Sequence, residues 1–172
     1  FDANGNETLE IRYNWDTETE SFVASYKGEN AYDANGNRTL YIGYYWDTDS
    51  QSFVASYKGE KTFDANGNET LEIRYNWDTE TESFVASYKG ENAYDANGNR
   101  TLYIGYYWDT DSQSFVTSSK SEFTYDANGN RTLYIVYNWD TETESFVTSR
   151  KFEFAFDANG NETLEIRYNW DT

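Results

Sequence analysis

The chain has no cysteine, methionine, proline or histidine in its 172 residues. The first and last of these absences each remove a class of chemistry. Without cysteine there are no disulfides and no thiolate metal sites. Without histidine the usual general base near neutral pH is missing, as is the commonest zinc ligand. Positive charge is also scarce. Thirteen Lys and Arg stand against 31 Asp and Glu, for a formal charge of −18. Such a chain repels nucleic acid and anionic membrane surfaces, so neither is expected as a partner. No apolar run approaches the roughly 18 residues that span a bilayer, so no membrane insertion is expected. Leu, Ile and Val are few, which leaves little material for a thick two-layer core.

What the sequence does have is aromatic residues, 20% of the total. Tyr, Trp, Phe and Thr favour strands, so composition leans all-β. It also has repetition. Asp-Ala-Asn-Gly-Asn recurs without change at residues 2–6, 33–37, 64–68, 95–99, 126–130 and 157–161, a period of 31, always after Phe or Tyr. Residues 1–54 and 63–116 are identical, so a 62-residue double unit has been copied. Internal repetition of this kind decides the fold argument. Residues 1–172 read as one continuous repeat array, and as a segment of a longer one.

Each repeat carries two strand signals. In "TLYIGYYW" (39–46), Leu40, Ile42, Tyr44 and Trp46 alternate with Tyr41, Gly43 and Tyr45. In "SFVASYKGENAYD" (21–33), Phe22, Ala24, Tyr26, Gly28, Asn30 and Tyr32 alternate with Val23, Ser25, Lys27, Glu29 and Ala31. Period-2 alternation over this length means strands. Asp-Ala-Asn-Gly-Asn then reads as a turn. A two-residue loop at Asn35-Gly36 pairs Ala31 with Leu40. A three-residue loop, Ala34 to Gly36, pairs Asp33 with Asn37 and Asn30 with Leu40. The second choice keeps Phe22, Tyr26 and Tyr32 on the face of Leu40, Ile42, Tyr44 and Trp46, and a one-residue slip would flip every side chain. It also suits a type I turn with Asp first and a left-handed Gly fourth, closing a G1 bulge. The acidic loops, "DTETE" and "DTDSQ", need an even number of loop residues. Four, Thr17 to Glu20, set Trp15 opposite Phe22 and Ile11 opposite Tyr26.

The fold expected is therefore all-β: an antiparallel meander of tandem 31-residue β-hairpin repeats forming an elongated twisted sheet of eleven strands. Open twisted sheets rarely exceed about ten strands without curling or splitting. One face should carry a packed ladder of Trp15, Trp46, Trp77, Trp108, Trp139 and Trp170 with Phe1, Tyr32 and their equivalents. So large an aromatic patch is expected to be covered, by sheet curvature, by another copy, or by stacking into a fibre. On the other face Glu10 should meet Lys27, and Tyr41 should meet Lys58.

The segment "YDANGNRT" (32–39) resembles the YD repeats of RHS-type bacterial surface and toxin-shell proteins. The Tyr-Asp-x-x-Gly-Asn core matches at 32–37, 94–99 and 125–130, with Phe in place of Tyr in the copies at 1, 63 and 156. The full unit, with "YYWDTDSQSFV" after the turn, is similar to tandem repeats in secreted and cell-surface proteins of Bacteroidota. The resemblance implies an extracellular or surface location and a structural or adhesive role.

Two binding chemistries compete with that reading. The acidic loops place Asp16, Glu18 and Glu20, and likewise Asp47, Asp49 and Gln51, at i, i+2 and i+4. Alternate oxygen ligands in a loop are what calcium takes, and calcium is the one cofactor the sequence offers a place for. The same pattern also describes a solvated, solubilising edge. Exposed Trp and Tyr beside Asn and Asp could stack on cell-surface glycans, or could be cross-strand packing. Catalysis needs a unique, partly desolvated constellation, and the carboxylates here repeat with the turns. The sequence therefore reads as a non-enzymatic structural protein that associates with its own kind, with a calcium- or carbohydrate-binding surface module as the alternative.

Overall fold

The computed structural model describes residues 1–170. Among them there is no helix. Eleven strands follow one another: β1 (Leu9–Asp16), β2 (Ser21–Tyr32), β3 (Arg38–Asp47), β4 (Ser52–Phe63), β5 (Glu69–Asp78), β6 (Ser83–Tyr94), β7 (Arg100–Asp109), β8 (Ser114–Tyr125), β9 (Arg131–Asp140), β10 (Ser145–Phe156) and β11 (Glu162–Asn169). They are hydrogen-bonded in chain order in one open antiparallel meander. The chain divides within β6 into two units, Phe1–Ser87 and Tyr88–Thr172. The first holds β1 to β5, the second β7 to β11.

The glycine turn has the expected form. Gly36 N–H donates to the Asp33 carbonyl at 3.1 Å, and Asp33 N–H donates to the Asn37 carbonyl at 2.9 Å. Gly36 sits at φ +84°, in the left-handed region that a β-carbon penalises. The Asp33 side chain braces the turn from inside. Its Oδ1 accepts from the N–H groups of Asn35 and Asn37, and its Oδ2 from the Asn37 amide. The four-residue acidic loop is also as expected, with Trp15 opposite Phe22 and Asp16 opposite Ser21.

Between the turns, two bulges per repeat overturn the expected register. Tyr32 pairs with Arg38 but Ala31 pairs with Leu40, so Thr39 is an extra residue and Asn30 does not face Leu40. Arg12 pairs with Tyr26 but Tyr13 pairs with Ala24, so Ser25 is extra and Ile11 faces Lys27 rather than Tyr26. Each bulge residue anchors itself through its hydroxyl. Ser25 donates to the Arg12 carbonyl at 3.1 Å, and Thr39 to the Ala31 carbonyl at 3.3 Å. A bulge sets two residues against one and re-aims the chain beyond it.

The consequence is a different division of faces. Phe22 and Ala24 share a face with Lys27, Glu29 and Ala31, because the bulge at Ser25 shifts the alternation. That face also carries Leu40, Ile42, Tyr44 and Trp46. Tyr26, Gly28, Asn30 and Tyr32 lie on the opposite face, with Tyr41, Gly43 and Tyr45. Glu10 therefore pairs with Gly28, not Lys27, and Tyr41 with Gly59, not Lys58. The tryptophan ladder is built with Phe22 and its equivalents. Tyr32 instead donates from its hydroxyl to the Glu7 carbonyl at 3.0 Å, and Phe1 is 82% exposed.

Neither unit has a second layer. Among the described residues the only buried hydrophobic ones are Ala55 and Phe123, and no side chain is fully buried. The accessible surface is 11166 Å², where an ordinary folded chain of this mass exposes about 8,700 Å². Cross-strand side-chain pairs, worth about 0.2–1 kcal/mol each, therefore have to do what a core does elsewhere.

Candidate functional site

The most regular polar feature is a ladder of Lys, Tyr and Glu on the aromatic face. Lys27 lies directly opposite Tyr44, and Glu29 follows two residues on, so all three project to the same side. Lys27 Nζ stands 3.8 Å from the Tyr44 ring centre and 3.0 Å from Glu29 Oε1. Tyr44 Oη donates to Glu29 Oε2 at 2.8 Å, which closes the triangle. The arrangement recurs at Lys58–Tyr75–Glu60, Lys89–Tyr106–Glu91, Lys120–Tyr137–Glu122 and Lys151–Tyr168–Glu153. In the first four copies a Phe ring of the next repeat (Phe53, Phe84, Phe115, Phe146) lies 5.1–5.7 Å from the ammonium. A cation between two rings with a carboxylate beside it is partly desolvated yet fully partnered.

The electrostatics follow from these contacts. The Lys27 hydrogen bond, with help from Tyr44, holds Glu29 below the usual carboxylate range, and Lys58 does the same for Glu60. Burial, then the hydrogen bond to glutamate, pushes Tyr44, Tyr75, Tyr106 and Tyr137 up to about 12. The triads were not found by sequence reasoning, although a signal was present. Lys-x-Glu recurs at 27–29, 58–60, 89–91, 120–122 and 151–153, with a Tyr fifteen residues after each Glu.

Beside the triads, toward the acidic loops, runs a row of Trp–Phe pairs. Trp15–Phe22, Trp46–Phe53, Trp77–Phe84, Trp108–Phe115 and Trp139–Phe146 all meet edge to face at 5.0–5.1 Å. Trp15, Ala24 and Trp46 line a cleft of 370 Å³. On the opposite face of the first unit, tyrosine rings lie over glycines. A β-carbon on Gly43 would come within 2.3 Å of the Tyr57 ring, and one on Gly59 within 2.1 Å of Tyr41.

The six residues proposed from sequence as calcium ligands sit in and beside the acidic loops. Asp16 Oδ1 accepts from Glu18 N–H at 2.9 Å and Oδ2 from the Thr19 hydroxyl at 2.7 Å. Asp47 accepts from Asp49 N–H, Ser50 N–H and the Ser50 hydroxyl. These bonds, the Thr19 and Ser50 hydroxyls first, hold both carboxyls below their ordinary range. Glu18, Glu20, Asp49 and Gln51 are exposed, and Glu20 and Gln51 adopt left-handed φ of 49° and 52°. Among the described residues no group of three or more acidic side chains is placed to hold a metal ion. No helix there is long and apolar enough to cross a membrane.

No protein-family model matches the chain, and no curated protein matches it. Solved structures do resemble it. A protein of unknown function from Bacteroides fragilis matches with a TM-score of 0.60 at 14% identity, over 74% of this chain and 90% of that one. A DUF3836 family protein from Bacteroides vulgatus matches with a TM-score of 0.47 at 13% identity, over 66% of this chain and 99% of that one. The TcdB2-TccC3-TEV structure matches with a TM-score of 0.40 at 13% identity, over 88% of this chain and 9% of that one. The first of these shows that the open hairpin meander is a fold this chain shares with a Bacteroides protein.

Proposed function

We propose that the chain is a structural repeat segment of an extracellular protein, a fibre, stalk or adhesin shaft, whose copies associate with one another. The observation that carries this reading is recurrence. The groups that hold the sheet together, the Lys–Tyr–Glu triads and the Trp–Phe pairs, return with the 31-residue period in a sheet one layer thick. Stability then adds repeat by repeat, as in other nearest-neighbour arrays. A catalytic site asks for the opposite, one constellation set apart from its surroundings. The sequence resemblance to bacterial surface repeats and the fold shared with a Bacteroides fragilis protein support the same reading.

The test is a spacer experiment. Arrays of two, four and six units are displayed on a cell surface with an epitope at the far end. A stalk moves the epitope outward by a constant step per unit, read by antibody access through a capsule of known thickness. Reach that does not change with unit number refutes the proposal.

A second reading, a glycan-binding surface, draws on the cleft between Trp15 and Trp46. Saturable quenching of tryptophan fluorescence by a β-linked oligosaccharide, lost in Trp46→Ala, would favour it over a purely structural role.

A further inference from the structure

Tyr26 lies on β2 and Tyr57 on β4, with β3 between them. Their hydroxyls meet all the same, 3.3 Å apart. In the second unit the hydroxyls of Tyr88 and Tyr103 meet at 2.9 Å. Both meetings take place over a pair of glycines, Gly28 opposite Gly43 in the first unit and Gly90 opposite Gly105 in the second. A β-carbon on any of the four would collide with the phenol that lies on it. Glycine in these strands is what allows so close an approach. The two pairs are not one pair copied. The counterpart of Tyr57 in the second unit is Ser119, which has no ring to offer. Tyr103, the counterpart of Tyr41, supplies the phenol instead. A meeting of phenols is thus kept where the sequence has lost one of them.

The composition bears on what such pairs can do. The chain has no Cys, Met or His. Thiols and thioethers are the side chains that an oxidant otherwise takes. Their absence leaves oxidising equivalents to tyrosine and tryptophan. Five of the tryptophans stand on the opposite face, each edge to face with a Phe, which is a poor radical partner. The triad tyrosines give their hydroxyls to glutamate. Over the glycines, phenol faces phenol.

We propose that Tyr26–Tyr57 and Tyr88–Tyr103 are sites of oxidative cross-linking, each pair joined as dityrosine by a one-electron oxidant of the haem-peroxidase class, with hydrogen peroxide as the electron acceptor. Each phenol gives up one electron and one proton. The resulting phenoxyl radical carries part of its spin on the ring carbons beside the oxygen. Two such radicals form one carbon–carbon bond between these ortho carbons. Each linked carbon then loses its proton and each oxygen regains one, which restores both rings. In sum two C–H bonds break and one C–C bond forms, and the two electrons and two protons released turn peroxide into two waters. The structure supplies the positioning, which converts an encounter of two rings into a step within one molecule. The first link ties β2 to β4 across β3, and the second ties β6 to β7. Both form within one chain, so the inference does not depend on copies associating.

The experiment treats the whole chain, dilute enough that chains rarely meet, with a haem peroxidase and hydrogen peroxide. Dityrosine fluorescence is read in the single-chain band of a denaturing gel, and tryptic peptides are mapped by mass spectrometry. The first link joins residues 13–27 to 39–58, and the second joins 75–89 to 101–120. Residues 39–58 and 101–120 differ in mass, at Ala55 against Thr117 and Tyr57 against Ser119. Both linked products are expected, each lighter than its two peptides by two hydrogens. Tyr26→Phe should lose the first and keep the second, and Tyr103→Phe the reverse, with circular dichroism confirming that each variant is folded. Tyr45→Phe, at a 48% exposed phenol outside the pairs, should change neither. Unfolding in urea before oxidation should remove both. Absence of dityrosine from the single-chain band overturns the inference. So do links that survive unfolding, or links that fall on Tyr45 and Tyr107 in place of the pairs.

Discussion

Lys58 Nζ stands 4.0 Å from the centre of the Tyr75 ring and 2.9 Å from Glu60 Oε1, so one ammonium serves two partners on adjacent strands. Its side chain is 21% exposed and that of Glu60 44%, so the ion pair is partly screened and the ring contact counts for at least as much. Lys58→Ala should cost about 1 kcal/mol and Tyr75→Phe a similar amount through the lost bond to Glu60. A double-mutant cycle by urea denaturation should return a coupling of about 0.5–1 kcal/mol between Lys58 and Tyr75. Additive effects would show that the Lys58 ammonium and the Tyr75 hydroxyl act on Glu60 independently.

The triad tyrosines predict the alkaline limit of stability. Tyr44, Tyr75, Tyr106 and Tyr137 titrate near 12 in the folded chain. An unfolded tyrosine titrates near about 10. The unfolded chain therefore loses these protons first. The contribution is fully present below about pH 10 and is lost as pH rises through 12. Melting temperature should fall steeply across that window. Replacing the four tyrosines by Phe should flatten the fall, at the expense of stability near neutrality. Tyrosinate absorbance, followed over the same range, should show a late-titrating class that shrinks in the variant, leaving Tyr26, which its hydrogen bond to Tyr57 also pushes up to about 12.

Gly36 tests the turn. At φ +84° an alanine is strained, and Gly36→Ala should cost about 1 kcal/mol or more. Asp33→Ala should act in the same direction, since it removes acceptors for Asn35, Asn37 and the Asn37 amide. Chemical denaturation of single-site variants would check both. An unchanged midpoint for Gly36→Ala would mean the turn is not what sets the register.

Gly43 and Tyr57 form a pair that must change together. A side chain on Gly43 meets the Tyr57 ring, so Gly43→Val forces that ring off the strand. In the fifth repeat the protein already has valine at this place, Val136, and the residue facing it is Arg150 rather than tyrosine. Gly43→Val combined with Tyr57→Arg should therefore be more stable than Gly43→Val alone by about 1 kcal/mol. Thermal denaturation of the single and double variants decides it.

Removal of divalent ions should leave the protein unchanged. The Asp16 and Asp47 carboxylates accept from their own turns, and among the described residues no acidic trio is gathered beside them. Melting curves in calcium and in EDTA should superimpose. A calcium-dependent rise would show that the acidic loops bind the ion.

Strand number, the glycine turn and the four-residue acidic loop were all legible in the sequence, because each is fixed by local chemistry: alternation, Asp first, Gly fourth, an even loop. The pairing between the turns was not. A parity argument assumes that every residue in a strand has an opposite number, and Ser25 and Thr39 have none. A bulge leaves no break in alternation that can be told from a face change. Its trace here is a small hydroxyl residue at one fixed position in every copy. Once Ser25 is set aside, Lys27 and Glu29 move to the aromatic face, and the Lys–Tyr–Glu triads follow. The calcium reading of Asp16, Glu18 and Glu20 came from spacing alone. Spacing did not reveal that Thr19 and the Glu18 N–H would occupy the Asp16 oxygens.

The thinness of the sheet has a mechanical consequence. Where there is no core, a strand is held by its two neighbours and by nothing beneath. A force applied at the first strand and directed away from the sheet breaks one row of ladder bonds at a time, alternately with a Trp–Phe pair and with a Lys–Tyr–Glu triad. The peak force is then set by a single interface and stays the same however many units are joined. The work absorbed grows with each unit. A tether of this design would yield in small steps of two alternating kinds, repeated with each unit.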